Sequence, residues 1–222
     1  MGTLYLVRHG QASFGAADYD QLSPLGHRQC VRLGEHLRAR GLVFDHYMTG
    51  ALKRHAQSLA AIAEGLGVPA RPTIWPQLNE YDSQALVHAI HPDPLPALDA
   101  SQAFRAHFRL LRQALLVWME GRSEPRGMPS HAQFTAGVGE ALDHVRAQDP
   151  GAVLLVSSGG PIAAAVGIVL GLAPQAVIDL NMRIRNSALT EFQVTPKRHL
   201  LMSFNSIAHL EHPDHADWVT YA

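Results

Sequence analysis

A three-layer α/β/α sandwich around a mostly parallel sheet is the α/β fold this sequence predicts, and three observations predict it. Residues 4–7 and 152–156 are wholly apolar and β-prone, too continuous for strands with one wet face. Between and after them run segments whose apolar residues recur at helical spacing. Near the end, residues 187–194 and 200–204 alternate like a closing strand pair around Pro196-Lys197-Arg198. In such a sheet, ligands bind beyond the carboxyl ends of the strands.

The elements follow in order. After the first strand and a polar loop, Ser23-Pro24 reads as an N-cap with proline at the first helical position. Cys30, Leu33 and Leu37 share one face of that helix, and Gly41 is placed to end it. A short strand over 43–48 leads to Thr49, which can cap a helix carrying Leu52, Ala56, Leu59, Ala63 and Leu66 and stopping near Gly67. Residues 71–75 form a third strand, kept near an edge by Pro72, and 91–100 is a proline-rich surface connection. Ser101 caps a helix striped with Phe104, Phe108, Leu111, Leu115 and Trp118, and Ser130 opens another with Phe134, Val138, Leu142 and Val145. The strand at 152–156 ends in Ser157-Ser158-Gly159-Gly160-Pro161 and an Ala-rich helix to about residue 170. The residues after 204 read as a polar tail.

Composition narrows the function classes. A chain of 222 residues with 47% apolar content can bury one sizeable core, so residues 1–222 are expected to form a single domain. The formal charge of -1, from 18 basic and 19 acidic residues, gives no global field for nucleic acid or an anionic membrane. Cys30 is the sole cysteine and fits an inert core thiol in a reducing cytoplasm. The apolar run 162–170 is too short to span a bilayer, so a cytoplasmic protein is expected.

Four separate pieces can share one rim. Arg8, His9 and Gly10 end the first strand: a planar fork suited to phosphate, a nitrogen nucleophile, and a residue that admits an anion close to the backbone. Arg54, in the first turn of a helix, opposes the helix dipole and makes better sense with an anion between them. Glu80 follows the third strand, and the small-residue turn at Ser158-Gly159-Gly160 presents backbone N–H groups. Two arginines would neutralise a phosphate, histidine would attack phosphorus, and the carboxylic acid would protonate the leaving oxygen.

These residues resemble the histidine phosphatase superfamily, or phosphoglycerate mutase-like family, over nearly the whole chain. Arg8, His9 and Gly10 match its signature; Leu52, Arg54 and Gln57 match its Leu-x-Arg-x-x-Gln setting; Leu78 and Glu80 match its Leu-x-Glu. Gly159 and Gly160 match its Gly-Gly turn, and Asn205 and His209 lie in similar closing strands. The resemblance implies the phosphoglycerate mutase-like fold and catalysis by His9 and Glu80, with Arg8 and Arg54 binding the phosphate of the substrate; Ser158 and Gly159, in the small-residue turn, are the further substrate-binding candidates. It implies a metal-independent phosphomonoesterase of histidine acid phosphatase type, needing no cofactor and acting on a small phosphorylated molecule through phospho-His9. The family usually carries a second histidine where this chain has Ser158. A serine donates one hydrogen bond without charge, so turnover is expected to fall by about 10² to 10³. Gln11 and Gly15 depart from the mutases' Arg-His-Gly-Glu-x-x-x-Asn and argue against a glycolytic mutase.

Two other readings stand beside this one. A weak or inactive phosphate-ligand binding relative is motivated by Ser158. A serine esterase is suggested by its strand-to-helix turn, although Val156 occupies the position where a nucleophile elbow carries glycine. His209, His212 and His215 do not form a helical metal face, because Pro213 interrupts them. The oligomeric state is open.

Overall fold

The computed structural model describes residues 1–13, 20–93, 100–148 and 151–221. Gly15 and most of the proline-rich connection at 91–100 lie outside these residues. The expected architecture is present, as a mixed six-stranded sheet with helices on both faces. Strands β1 (Gly2–Arg8), β2 (His46–Thr49), β3 (Thr73–Ile74) and β4 (Ala152–Ser157) are parallel, and β5 (Leu189–Val194) and β6 (His199–Ser206) close the sheet antiparallel. The strand order is β3-β2-β4-β1-β5-β6.

Strand alternation divides the core. Tyr5 and Val7 of β1 and Leu154 and Val156 of β4 pack on α1 (Pro24–Ala39) and α2 (Lys53–Leu66), with Cys30, Leu33, Leu37, Leu59 and Ile62. Leu4, Leu6, Val153 and Leu155 face the other way. They meet α4 (Ala100–Met119), α5 (His131–Ala147) and α6 (Gly159–Leu170) through Leu115, Trp118, Val138 and Ile162. No helix among the described residues is long and apolar enough to cross a membrane.

Helices α1 and α2 cross on glycine. A Cβ on Gly34 would fall 2.1 Å from the Ile62 carbonyl oxygen, and one on Gly65 equally close to that of Val31. These contacts are to backbone, so neither neighbour can rotate away. Gly34→Ala should therefore spread the two helices and lower stability by about 1–3 kcal/mol, the usual cost of overpacking. A reduced urea midpoint at unchanged m-value would show it, and an unchanged midpoint would mean that the crossing adjusts freely.

Local signals held where a side chain caps its own helix. Ser23 Oγ accepts from Gly26 N–H at 3.0 Å, and Ser130 with Gln133 forms a reciprocal capping box on α5. Thr49 does not cap α2: it is the last residue of β2, three residues too early, and its hydroxyl donates to the Gly50 carbonyl. Helix α4 starts at Ala100, one residue before the expected cap at Ser101. Two short helices, α3 (Ser83–Ile90) and α7 (Pro174–Asn181), were not anticipated, and the third strand is only two residues long. The expected polar tail is instead packed structure. Pro213 opens a 3₁₀ helix running to Trp218, and His209 and Leu210 are buried.

Candidate active site

The carboxyl ends of the four parallel strands converge. Arg8 lies level with Ser157 in the β1–β4 pairing, and His9 N–H donates to the Ser157 carbonyl at 2.9 Å. His9 and Ser158 are therefore the neighbouring residues that leave these two strands. Helix α2 brings Arg54 and His55 from the end of β2, and the turn after β3 brings Glu80.

His9 is 4% exposed, and its ring is fixed at both nitrogens. Nδ1 lies 2.7 Å from the Gly10 carbonyl oxygen, which can only accept, so Nδ1 carries the proton. Nε2 then keeps its lone pair and accepts from Arg54 Nε at 3.3 Å. Burial first, then the charges of Arg8 and Arg54, holds the imidazole pKa well below its ordinary value. The ring is neutral at neutral pH, as a nucleophile must be. Its backbone is equally constrained: Gly10 N–H donates to Ser58 Oγ at 3.0 Å, and Ser187 N–H and Asn186 Nδ2 donate to the His9 carbonyl.

Both helix starts at which the sequence suggested a bound anion hold a carboxylate of the chain itself. Asp20 accepts from the Lys53 and Arg54 N–H groups at the start of α2, and its Oδ1 lies 2.8 Å from Arg54 Nη1. At the start of α6, Gly160 N–H donates to both Glu80 oxygens, at 3.0 and 3.2 Å. The Gly160 N–H is therefore occupied by a carboxylate of the chain. Gly159 is a packing position, where a Cβ would sit 2.7 Å from Asn181 Oδ1; on Gly160 it would fall 2.2 Å from Glu80 Oε1. Burial raises the Glu80 pKa, against the lowering influence of Gly160 N–H, Arg8 and Arg54.

Arg8 faces backbone. Its Nη1 donates to the carbonyls of Ile184 and Tyr221, the latter at 2.7 Å. The tail is tied to the same place, since Gln29 Nε2 donates to the Trp218 carbonyl at 2.6 Å and the Thr220 hydroxyl donates to Asn186 Oδ1 at 2.9 Å. Gln29 Oε1 in turn accepts from Gln11 N–H.

Sequence reasoning missed His55. Its ring is fully buried, 5.7 Å from the His9 ring between centroids, with Nε2 2.6 Å from Ser158 Oγ. The signal was its position directly after Arg54, in an otherwise familiar pattern. Burial, then Arg54, pushes its pKa down to about 3. His209 is likewise held at about 3, by burial and then by His36.

Buried neutral histidines set a pH dependence of stability. His9, His55 and His209 take up protons readily only when the chain unfolds, so stability is full above the unfolded value of about 6.5 and falls as pH drops below it. Each contributes a slope of up to about 1.4 kcal/mol per pH unit. Thermal melts should show Tm dropping steeply between about pH 6 and pH 4. A flat profile there would mean that these rings are charged in the folded protein.

The histidine phosphatase superfamily (branch 1) model matches residues 4–207. Among curated relatives, the 2,3-bisphosphoglycerate-dependent phosphoglycerate mutase of Mesorhizobium japonicum is 40% identical over 88 residues, 36% of this chain and 42% of that protein. The aligned segment thus spans less than half the length of that relative. Among solved structures, phosphoserine phosphatase from Entamoeba histolytica in complex with 3-phosphoglyceric acid aligns with a TM-score of 0.67 and 18% identity, over 95% of this chain and all of that one. Phosphoglycerate mutase from Bacillus anthracis aligns at 0.64 and 16%, over 94% of each chain. Mycobacterial glucosyl-3-phosphoglycerate phosphatase with VO3 aligns at 0.65 and 23%, over 93% of this chain and all of that one. These similarities show a shared fold.

Proposed function

Because the chain belongs to the histidine phosphatase superfamily, we propose that it is a metal-independent phosphomonoesterase acting on a small phosphorylated substrate through phospho-His9. The observation that carries this reading is the state of His9: neutral, its proton committed to the Gly10 carbonyl, its Nε2 lone pair beside Arg54. Nε2 attacks phosphorus in line, forming an N–P bond as the P–O bond to the leaving group breaks. Glu80, favoured in its protonated form by burial, gives its proton to the leaving oxygen. A water then attacks the phosphohistidine, Glu80 takes its proton, and phosphate departs from a regenerated neutral His9. Arg54 and Arg8 supply positive charge at the phosphoryl oxygens, and Ser158 supplies a hydrogen bond without charge. Turnover is accordingly expected to be modest.

Rapid quenching with a substrate labelled in its phosphoryl group tests the reading. Up to one label per chain should appear on His9, stable in alkali and lost in acid, as befits a P–N bond. Steady hydrolysis with no such label would remove His9 from the nucleophile's role. Binding of orthovanadate without hydrolysis would favour a phosphate-ligand binding protein.

A further inference from the structure

We propose that His55 is a positioning residue acting through Ser158: His55 Nε2–H donates to Ser158 Oγ, and the Ser158 hydroxyl donates to an oxygen of the phosphoryl group being transferred. The relay rests on the phosphoryl-transfer reading of His9 and adds to it a residue outside the superfamily pattern quoted above.

Three observations carry it. First, Ser158 is the N-cap residue of α6, where serine ordinarily binds the backbone of its own helix, yet its side chain makes no capping bond. Its oxygen lies 2.6 Å from His55 Nε2 instead. Second, the imidazole is fully buried, and its Nδ1 has no hydrogen-bond partner among the described residues. An orphaned buried polar atom costs about 1–3 kcal/mol, so packing alone does not account for a histidine here. Third, the backbone makes room for the ring: a Cβ on Gly50 would fall 2.3 Å from Nδ1.

The same contact fixes the proton. Nδ1 lies against the Gly50 α-carbon, whose hydrogens can point at a lone pair but offer nothing to an N–H donor. Asn79 Oδ1, which approaches the same glycine, already accepts from Ala51 N–H at 2.6 Å. The proton therefore resides on Nε2, directed at Ser158 Oγ, and the hydroxyl hydrogen is left to point elsewhere. Its neighbour is His9, whose N–H donates to the Ser157 carbonyl and whose ring is 5.7 Å from that of His55. A donor polarised by a second donor behind it binds developing negative charge better than a lone hydroxyl. The same geometry disfavours acyl transfer by Ser158, because among the described residues no carboxylate orients His55 through Nδ1.

The test is a double-mutant cycle on nitrophenyl phosphate, with orthovanadate affinity measured in parallel. Ser158→Ala should lower kcat by about tenfold to a hundredfold, and His55→Leu by about tenfold, with little change in KM. In the Ser158→Ala background, His55→Leu should add nothing. Equal losses in both backgrounds, or no loss in either, would overturn the relay. His55→Gln and His55→Asn guard against misfolding: the glutamine amide reaches the Nε2 position and should recover most of kcat, whereas asparagine should not. Equal activity of the two would also overturn it. If the parent protein hydrolyses no phosphomonoester, the phosphatase reading fails separately. The relay is then decided by vanadate, whose binding Ser158→Ala and His55→Leu should weaken non-additively; additive or absent weakening overturns it.

Discussion

His9→Ala is expected to abolish hydrolysis, with turnover of nitrophenyl phosphate falling at least about a thousandfold. The size follows from the proposed role, since a nucleophile is not one contributor among several but the atom to which the new bond forms. No other imidazole can take its place. His55 is buried with its Nε2 committed to Ser158, and His209 is buried with its Nε2 engaged by the Ser187 hydroxyl. The variant should fold, because truncation removes a buried ring whose partners are mainly the Gly10 carbonyl and Arg54. Orthovanadate binding should weaken less than turnover. Parent-level hydrolysis by His9→Ala in EDTA would refute covalent catalysis at this position.

Glu80→Gln should produce the second largest effect, and its signature is a ratio. Alkyl phosphates, whose leaving alkoxide needs a proton, should lose about 10² to 10⁴ in rate, and nitrophenyl phosphate much less. Glutamine preserves an oxygen acceptor for Gly160 N–H, so the start of α6 should be undisturbed. The pH profile offers an independent check. In the proposed first step the active form of Glu80 is the acid, and burial raises its pKa above the ordinary carboxylate value. The parent rate should therefore decline as pH rises through that raised pKa, and the decline should vanish in the variant. Equal losses on both substrates would take Glu80 out of the acid's role.

Much of this site was legible because strand ends are simple to read. An apolar run that stops at Arg8-His9-Gly10 says where a strand ends and what it presents. The order of strands and helices then brings Arg54, Glu80 and Ser158 to one rim by topology alone. What the sequence hid were contacts made by long-range partners. Asp20 caps a helix 33 positions later, which no local pattern encodes, so Thr49 looked like the cap. Gly160 N–H is taken by a residue 80 positions earlier, so its turn looked open to phosphate. His55 sits in a helix whose neighbours at helical spacing are core, and only the tertiary structure turns its ring toward Ser158. Helices α3 and α7 did carry local signals, Asp82 before Ser83 and Pro174 at a first turn, but each spans only eight residues.

The bond from Arg8 to the Tyr221 carbonyl joins positions 213 apart in the chain. During synthesis, at about 5–20 residues per second, the ribosome releases the first strand many seconds before residue 221 exists. Strand β1 also waits for β4 and β5 before either of its edges is paired. Arg8 is thus made long before the distant carbonyl that helps to secure it. Contacts this distant slow folding, because the intervening chain must be ordered before they form. A nascent chain accordingly carries His9 long before it has the frame that keeps the ring neutral and aimed. The site proposed here is thus completed late in folding rather than preformed in the strand that bears its signature.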